Sequence, residues 1–237
     1  MRRRTAHENI WRFACYARTQ QVLEMAQGLV GQSEPLSVVT GLAGAGKTVC
    51  AEHYVSRNAG ARIGVCPTRH LSTPRTILLA VAEAVGVRER PRYTQPLYEA
   101  VRARLAGGQL FVILDEADQL RAADMDLLRY LAEEADAGFC FLGCPSVLTV
   151  LAQRPALQRR VGVHYAIPPA TPDEVTRMLA SRFDEKTISE IYRQTGGNLG
   201  HLERMLRFLS GPESRGQRIT PQRIQECAAN YLIGAVA

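Results

Sequence analysis

The chain has 237 residues, 46% of them hydrophobic and 22% charged, which is the make-up of an ordinary globular protein. It contains no apolar run long enough to cross a bilayer and no leader-like basic start followed by an apolar stretch, so neither a membrane partner nor export is expected. Arginine carries nearly all the positive charge, since Lys47 and Lys186 are the only lysines. The net charge of +6 permits a polyanionic partner without requiring one.

Residues 5–30 carry Ile10, Phe13, Leu23, Ala26 and Val30 at helical spacing and predict one helix or two, behind a basic start at Arg2, Arg3 and Arg4. A short β-branched strand follows at Leu36–Thr40. The next eight residues, Gly41, Leu42, Ala43, Gly44, Ala45, Gly46, Lys47 and Thr48, satisfy the pattern G-x-x-x-x-G-K-[ST]. Glycines let such a loop curl so that its N–H groups point at phosphate oxygens. The compact ammonium of Lys47 suits the β- and γ-phosphates better than the broad fork of an arginine, and the Thr48 hydroxyl is a natural Mg²⁺ ligand. Val49 opens a helix, whose N-terminus adds its dipole to the site. Strand, glycine loop and helix together predict ATP binding with Mg²⁺.

A second strand is predicted at 61–66, then a loop containing Arg69 and His70, and a helix over 75–85 opened by Thr73-Pro74. A charged loop with Arg88, Arg90 and Arg92 leads to a helix over 96–105. The third strand, 110–114, is wholly apolar and is expected to be buried on both faces of a parallel sheet. It delivers Asp115 and Glu116 at its carboxyl end, 68 residues beyond Lys47 in the case of Asp115. Asp115 is expected to hold the Mg²⁺ shell, and Glu116 to polarise an attacking water as general base. Asp115, Glu116, Ala117 and Asp118 also spell the helicase DEAD box. That reading requires a second domain of the same kind, and only a helical tail remains here.

A helix over 122–136, a fourth strand at 138–142, a short helix at 146–152 and a fifth strand at 163–167 complete an alternating pattern. After Pro168-Pro169 only helices are predicted, the first over 171–183 and the others at 185–194, 198–209 and 220–233. Residues 211–218 read as the most flexible loop. The six cysteines are scattered, with no zinc-ligand spacing, and suit buried free thiols in a reducing cytoplasm.

This order of elements resembles the AAA+ ATPases. The resemblance implies an α/β P-loop NTPase three-layer sandwich with a mainly parallel five-stranded sheet over 31–169. A small all-helical lid over 170–237 and an N-terminal helical and basic segment over 1–30 flank it. In that family the strand after the acidic pair ends in a polar sensor residue. Cys144 stands there, and either Ser146 substitutes or the water is weakly positioned and hydrolysis slow. The family's arginine finger, which reaches a neighbouring subunit's nucleotide, corresponds to Arg159 or Arg160, with Arg154 a weaker match. Gly196, Gly197 and Asn198 resemble the sensor-two turn, but Gly200 occupies its arginine position, leaving His201 or Arg204 to compensate.

A narrower resemblance is to the DNA-transposition ATPases, the MuB, TniB and TnsC group related to ExeA. It rests on the Ala17-Arg18-Thr19-Gln20-Gln21 helix, the Leu142-Gly143-x-Pro145-Ser146 segment and the compact lid. It implies a regulator that binds ATP, assembles as a ring or filament on double-stranded DNA, and directs a transposase to target sites. Contacts to DNA phosphates would then fall to the core, with Arg69, His70, Arg75 and Arg121 as the expected residues, the Arg88, Arg90 and Arg92 loop as an alternative, and Arg2, Arg3 and Arg4 as a basic arm. A helicase-loader ATPase and a signalling NTPase switch without DNA binding are the alternatives.

Overall fold

The computed structural model describes residues 14–107, 109–209 and 219–231. The basic start at 2–4 and the loop at 211–218 lie outside the described residues. The chain divides into two compact units. One comprises 19–42 and 47–167; the other comprises, of the described residues, 14–18, 43–46, 168–209 and 219–231.

The first unit is built on five strands, β1 (Leu36–Thr40), β2 (Ala61–Val65), β3 (Phe111–Asp115), β4 (Gly138–Gly143) and β5 (Val161–Ala166). They lie in the order β2-β3-β4-β1-β5, and every pairing is parallel. Every residue of β1, β3 and β4 is buried, as the unbroken apolar run of β3 requires. The edge strands differ: β2 is half-buried and β5 alternates between half-buried and exposed residues.

Helices cover the sheet on both faces. Val112, Leu114, Phe139 and Phe141 share one core with Ile77, Leu78, Leu97, Val101, Met125 and Leu128. These belong to α3 (Pro74–Val85), α4 (Thr94–Ala106) and α5 (Ala122–Ala135). Phe111, one residue out of phase with Val112, faces the other way. Its ring meets Tyr54 of α2 (Lys47–Arg57) edge-on, centroids 6.3 Å apart. Tyr54 is anchored in turn by a 2.6 Å hydrogen bond to Gln27 at the end of α1 (Ala14–Gln27). The three-layer α/β sandwich expected from the alternating pattern is the architecture found.

Local signals set most element ends. Thr73 caps α3 by accepting from the Thr76 N–H, Pro74 occupies its first position, and Gly86 ends it in the left-handed region at φ 77°. Two short helices follow β4, namely α6 (Ser146–Ala152) and α7 (Pro155–Gln158). The second, opened by Pro155 at its first position, is not among the helices expected from the sequence.

The helical unit contains α8 (Pro172–Leu179), α9 (Glu185–Thr195), α10 (Leu199–Leu209) and α11 (Pro221–Tyr231), packed through Val175, Leu179, Ile188, Ile191, Leu202, Met205 and Ile224. Thr171 and Glu174 form a capping box. The first helix stops at Leu179, short of the expected Phe183. Asp184 must leave the helical region to cap α9, where its carboxylate accepts from Thr187 N–H at 2.8 Å. Gly197 has φ 73°, and a Cβ there would stand 2.1 Å from the Ala170 carbonyl oxygen. Gly197→Ala is therefore expected to destabilise this unit by more than about 2 kcal/mol, through left-handed strain plus a backbone clash. An unchanged urea midpoint would contradict it.

Candidate active site

The site grows from the carboxyl ends of three neighbouring parallel strands. At the end of β1, Gly41 N–H donates to Gly143 O at the end of β4, 3.1 Å away. Gly44 and Gly46 adopt φ of 82° and 83°, conformations that favour glycine, and α2 begins at Lys47. A helix start that follows such a loop directly is the element at which the motif leads one to expect an anion. Lys47 Nζ donates to the carbonyl oxygens of Gly41 and Leu42 at 2.8 and 3.1 Å, and lies 3.9 Å from Cys144 Sγ.

Strands β1 and β3 are separated by β4, about 10 Å of sheet. The crossing of the loop into α2 closes that gap, so that Thr48 Oγ1 donates to Asp115 Oδ2 at 2.6 Å. A hydroxyl already hydrogen-bonded to a carboxylate offers Mg²⁺ the oxygen donors it takes, with the carboxylate placed to hold the ion's water shell. Thr48 would bind it directly and Asp115 through its water shell.

Glu116 follows with φ 57° and ψ 34°, a left-handed conformation rare for a residue with a side chain. Its N–H donates to Asp115 Oδ1 at 2.8 Å, and its carboxylate is exposed, without a hydrogen bond or ion pair among the described residues. Cys66, beside Asp115 at the end of β2, is a buried thiol. Its pKa is pushed up to about 12 by burial and then by the neighbouring carboxylates, which keeps it an inert neutral group.

At the sensor position the Cys144 side chain makes no strong polar contact, yet its backbone N–H donates to Asp118 Oδ1 at 3.0 Å. The sequence reading considered Asp118 only as a letter of the DEAD run and assigned it no role. Ser146, the suggested substitute, is exposed at the start of α6.

In the helical unit, Asn198 Oδ1 accepts from the N–H groups of Gly200 and His201 at 3.0 and 3.1 Å. Its Nδ2 donates to Ala43 O at 2.8 Å, and Gly200 N–H donates to Gly44 O at 2.9 Å. A Cβ on Gly200 would lie 2.9 Å from Gly44 Cα. A side chain at position 200 would crowd this close backbone approach. His201 is half-buried in the first turn of α10, and Arg204 is exposed. Asn198, the last letter of the Gly-Gly-Asn spelling, is the polar anchor of this turn.

Of the finger candidates, Arg160 is tied down. It pairs with Glu133 at 2.8 Å and donates to Ser33 O at 3.2 Å. Its carbonyl accepts from Leu36 N–H at the start of β1, about 16 Å along the strand from Gly41. Arg154 pairs with Asp126 at 3.7 Å. Arg159 is exposed, and its side chain makes no hydrogen bond or ion pair among the described residues.

The four expected DNA contacts separate in the same way. Arg69 is committed to its own chain: its guanidinium donates to Asp118 O at 2.7 Å and Leu120 O at 3.3 Å. Arg121 grips both oxygens of Asp124 at 2.9 Å and donates to Ser72 O. Burial alone would raise the Asp124 carboxyl, but these bonds and one from Ser72 hold its pKa below the ordinary value. His70 is exposed, and Arg75 makes one long bond, 3.4 Å, to Tyr93 O.

The family profile for the AAA domain matches residues 30–151, half of the chain. Among curated proteins, the ATP-dependent target DNA activator B of Escherichia phage Mu is 35% identical over 111 residues, 47% of this chain and 35% of that protein. The Mu-like prophage FluMu DNA transposition protein B of Haemophilus influenzae is 30% identical over 115 residues, 48% of this chain and 39% of its own. The aligned part thus spans little more than a third of these relatives. Among solved structures, the ORC1 protein of Aeropyrum pernix in complex with DNA superposes with a TM-score of 0.63 at 22% identity, covering 91% of this chain and 64% of that one. The ORC2 protein of the same organism gives 0.65 at 15% identity, covering 90% and 67%. At such identities these structures speak for the fold alone. The profile match, seated on the P-loop and the acidic pair described above, shows that this chain belongs to the AAA-domain family, and its curated likenesses lie among the transposition activators of Mu-type phages.

Proposed function

We propose that the chain is a Mg²⁺-dependent ATPase that assembles on double-stranded DNA and directs a transposase to target sites. The observation that carries the ATPase reading is the convergence of Thr48 and Asp115 at 2.6 Å beside a Glu116 whose carboxylate is unpaired among the described residues. Bound Mg²⁺ supplies charge neutralisation at the β- and γ-phosphates. Lys47 gives up its loop carbonyls for the phosphate oxygens, a stronger charge-assisted partner. The 41–46 loop and the first turn of α2 hold the phosphates through backbone N–H groups, and Glu116 accepts a proton from the attacking water.

A neighbouring subunit completes the site with Arg159, the finger candidate left unpaired. The likeness to the phage activators supports the transposition role, and the exposed arginines support DNA contact. With Arg69 and Arg121 bound to their own chain, the phosphate-facing set becomes His70, Arg75, Arg88 and Arg92. Arg75 joins Arg92's neighbour Tyr93, and Thr76 joins Leu71, so most of these groups share one surface around the start of α3.

Two measurements test this reading. Electron microscopy of the protein with duplex DNA and ATP should show regular assemblies that ADP or omission of nucleotide weakens; dispersed particles under every condition would refute it. Arg75→Ala and Arg92→Ala should each lower the slope of log affinity against log salt by about one, uniformly across DNA sequences. A slope equal to that of the unaltered protein would move the DNA path elsewhere.

A further inference from the structure

The turn that presents Glu116 is gripped from two sides by groups that the motif does not name. On one side, Asp118 Oδ1 accepts the Cys144 N–H at 3.0 Å. The fit there is tight enough that a Cβ on Gly143 would lie 2.8 Å from the same Oδ1 and 2.9 Å from Asp118 N. Gly143 O in turn receives the Gly41 N–H, so this contact links the turn to the first residue of the P-loop. On the other side, Arg69 makes three bonds to the same turn. Its guanidinium reaches Asp118 O and Leu120 O, and its backbone N–H donates to Gln119 Oε1 at 3.2 Å.

A left-handed glutamate is a conformation that a free turn would leave, and it persists only where its surroundings over-determine it. Here the surroundings are these bonds together with Glu116's own, from its N–H to Asp115 Oδ1 and from Gln119 N–H to its carbonyl. We propose that Asp118 and Arg69 are positioning residues for ATP hydrolysis, holding Glu116 in its left-handed conformation and in register with the end of β4. Asp118 thereby does through the Cys144 backbone what a polar side chain at position 144 would otherwise do. The inference rests on the assignment of Glu116 as the base, and it gives Arg69 a role in place of a DNA contact. Both residues act through Glu116, since Asp118 spends its Oδ1 on a backbone N–H and Arg69 spends its Nη2 on two carbonyls.

The test is steady-state hydrolysis by the full chain, with nucleotide affinity followed in parallel by titration with a fluorescent ADP analogue. Asp118→Ala is expected to lower kcat by about ten- to a hundredfold, the loss that follows a misplacement of about 1 Å, while affinity for the analogue stays within about twofold. Asp118→Asn keeps the accepting oxygen and should recover most of the rate. Arg69→Ala should repeat the loss of kcat, and Arg69→Lys, which can still offer one terminal nitrogen to the two carbonyls, should restore part of it.

The decisive comparison is made in a Glu116→Gln background, where Asp118→Ala should cost nothing further because its partner in the step is already gone. A normal kcat in both Asp118→Ala and Arg69→Ala overturns the proposal. So does a loss that multiplies with that of Glu116→Gln, or a matching drop in nucleotide affinity. If Glu116→Gln itself hydrolyses ATP normally, the base assignment fails, an outcome separable from the others. Should Asp118→Ala fold poorly, the Arg69 pair of variants, altered at an exposed side chain, decides the question.

Discussion

Lys47→Ala is expected to weaken ATP and ADP binding by about 1.5–3 kcal/mol, roughly ten- to a hundredfold in Kd, and to abolish nucleotide-dependent assembly on duplex DNA. The estimate follows from removing one charge-assisted hydrogen-bonding group. The loop should survive the change, because Gly44 and Gly46 set its path and Gly41 N–H is anchored on Gly143 rather than on the lysine. Thermal stability should accordingly fall little, since the ammonium bonds to carbonyls at the loop's rim and weakly to Cys144 Sγ. Lys47→Arg should fail almost as completely, because a planar fork cannot take the place of a compact ammonium inside a tight loop. Titration with a fluorescent nucleotide checks the first effect and light scattering with DNA the second. Affinity within twofold of the unaltered protein would sink the phosphate assignment.

Glu116→Gln is expected to leave nucleotide binding intact and to cut hydrolysis by about 10²–10⁴-fold, the range for loss of a general base. The amide is nearly isosteric, and the bonds that hold its backbone, from Glu116 N–H to Asp115 Oδ1 and from Gln119 N–H to Glu116 O, do not involve its carboxylate. Folding should therefore be spared. Because ATP persists in such a variant, assemblies on DNA should outlast those of the unaltered protein after free nucleotide is diluted away. Phosphate release measured at saturating ATP is the check, and a rate equal to the unaltered protein's would refute the assignment.

The two predictions separate binding from chemistry, and the structure indicates why these are separable. Lys47 and Thr48 come from the start of α2, whereas Glu116 comes from the turn after β3. The hydrogen bond from Thr48 to Asp115 links the start of α2 to the end of β3, just ahead of that turn. Arg159 belongs to neither segment. If it serves the adjacent subunit, Arg159→Ala should lower hydrolysis only when the protein is assembled, leaving nucleotide binding by the dispersed chain unchanged.

Much of the site was legible in the sequence because it is written in contiguous residues. The glycine loop needs particular residues at fixed spacing within eight positions, and the acidic pair needs only an apolar strand directly ahead of it. The strand and helix order was legible for a similar reason. Fully buried strands must be apolar throughout, and Thr73-Pro74, Thr171-Pro172 and Gly86 are local stop and start signals. Element ends were missed where one cap competes with the preceding helix, as at Asp184, or where a four-residue helix carries no periodic signal, as at Pro155–Gln158.

What tertiary structure alone decided is the use to which each charged side chain is put. An arginine in a sequence is a cation with no stated partner. Only folding reveals that Arg69 lies on carbonyls 49 and 51 positions away, that Arg121 embraces Asp124 and Ser72, and that Arg160 meets Glu133. The same holds for Asp118, whose value depends on a backbone N–H 26 positions further on, and for Gly200, whose lack of a side chain makes sense only against Gly44. Local pattern determines which residues can bind phosphate, since that chemistry needs a loop, a lysine and a helix start in a row. Long-range packing determines which surrounding charges remain for partners, because a hydrogen bond formed within the chain uses up the donor that DNA or a neighbouring subunit would need.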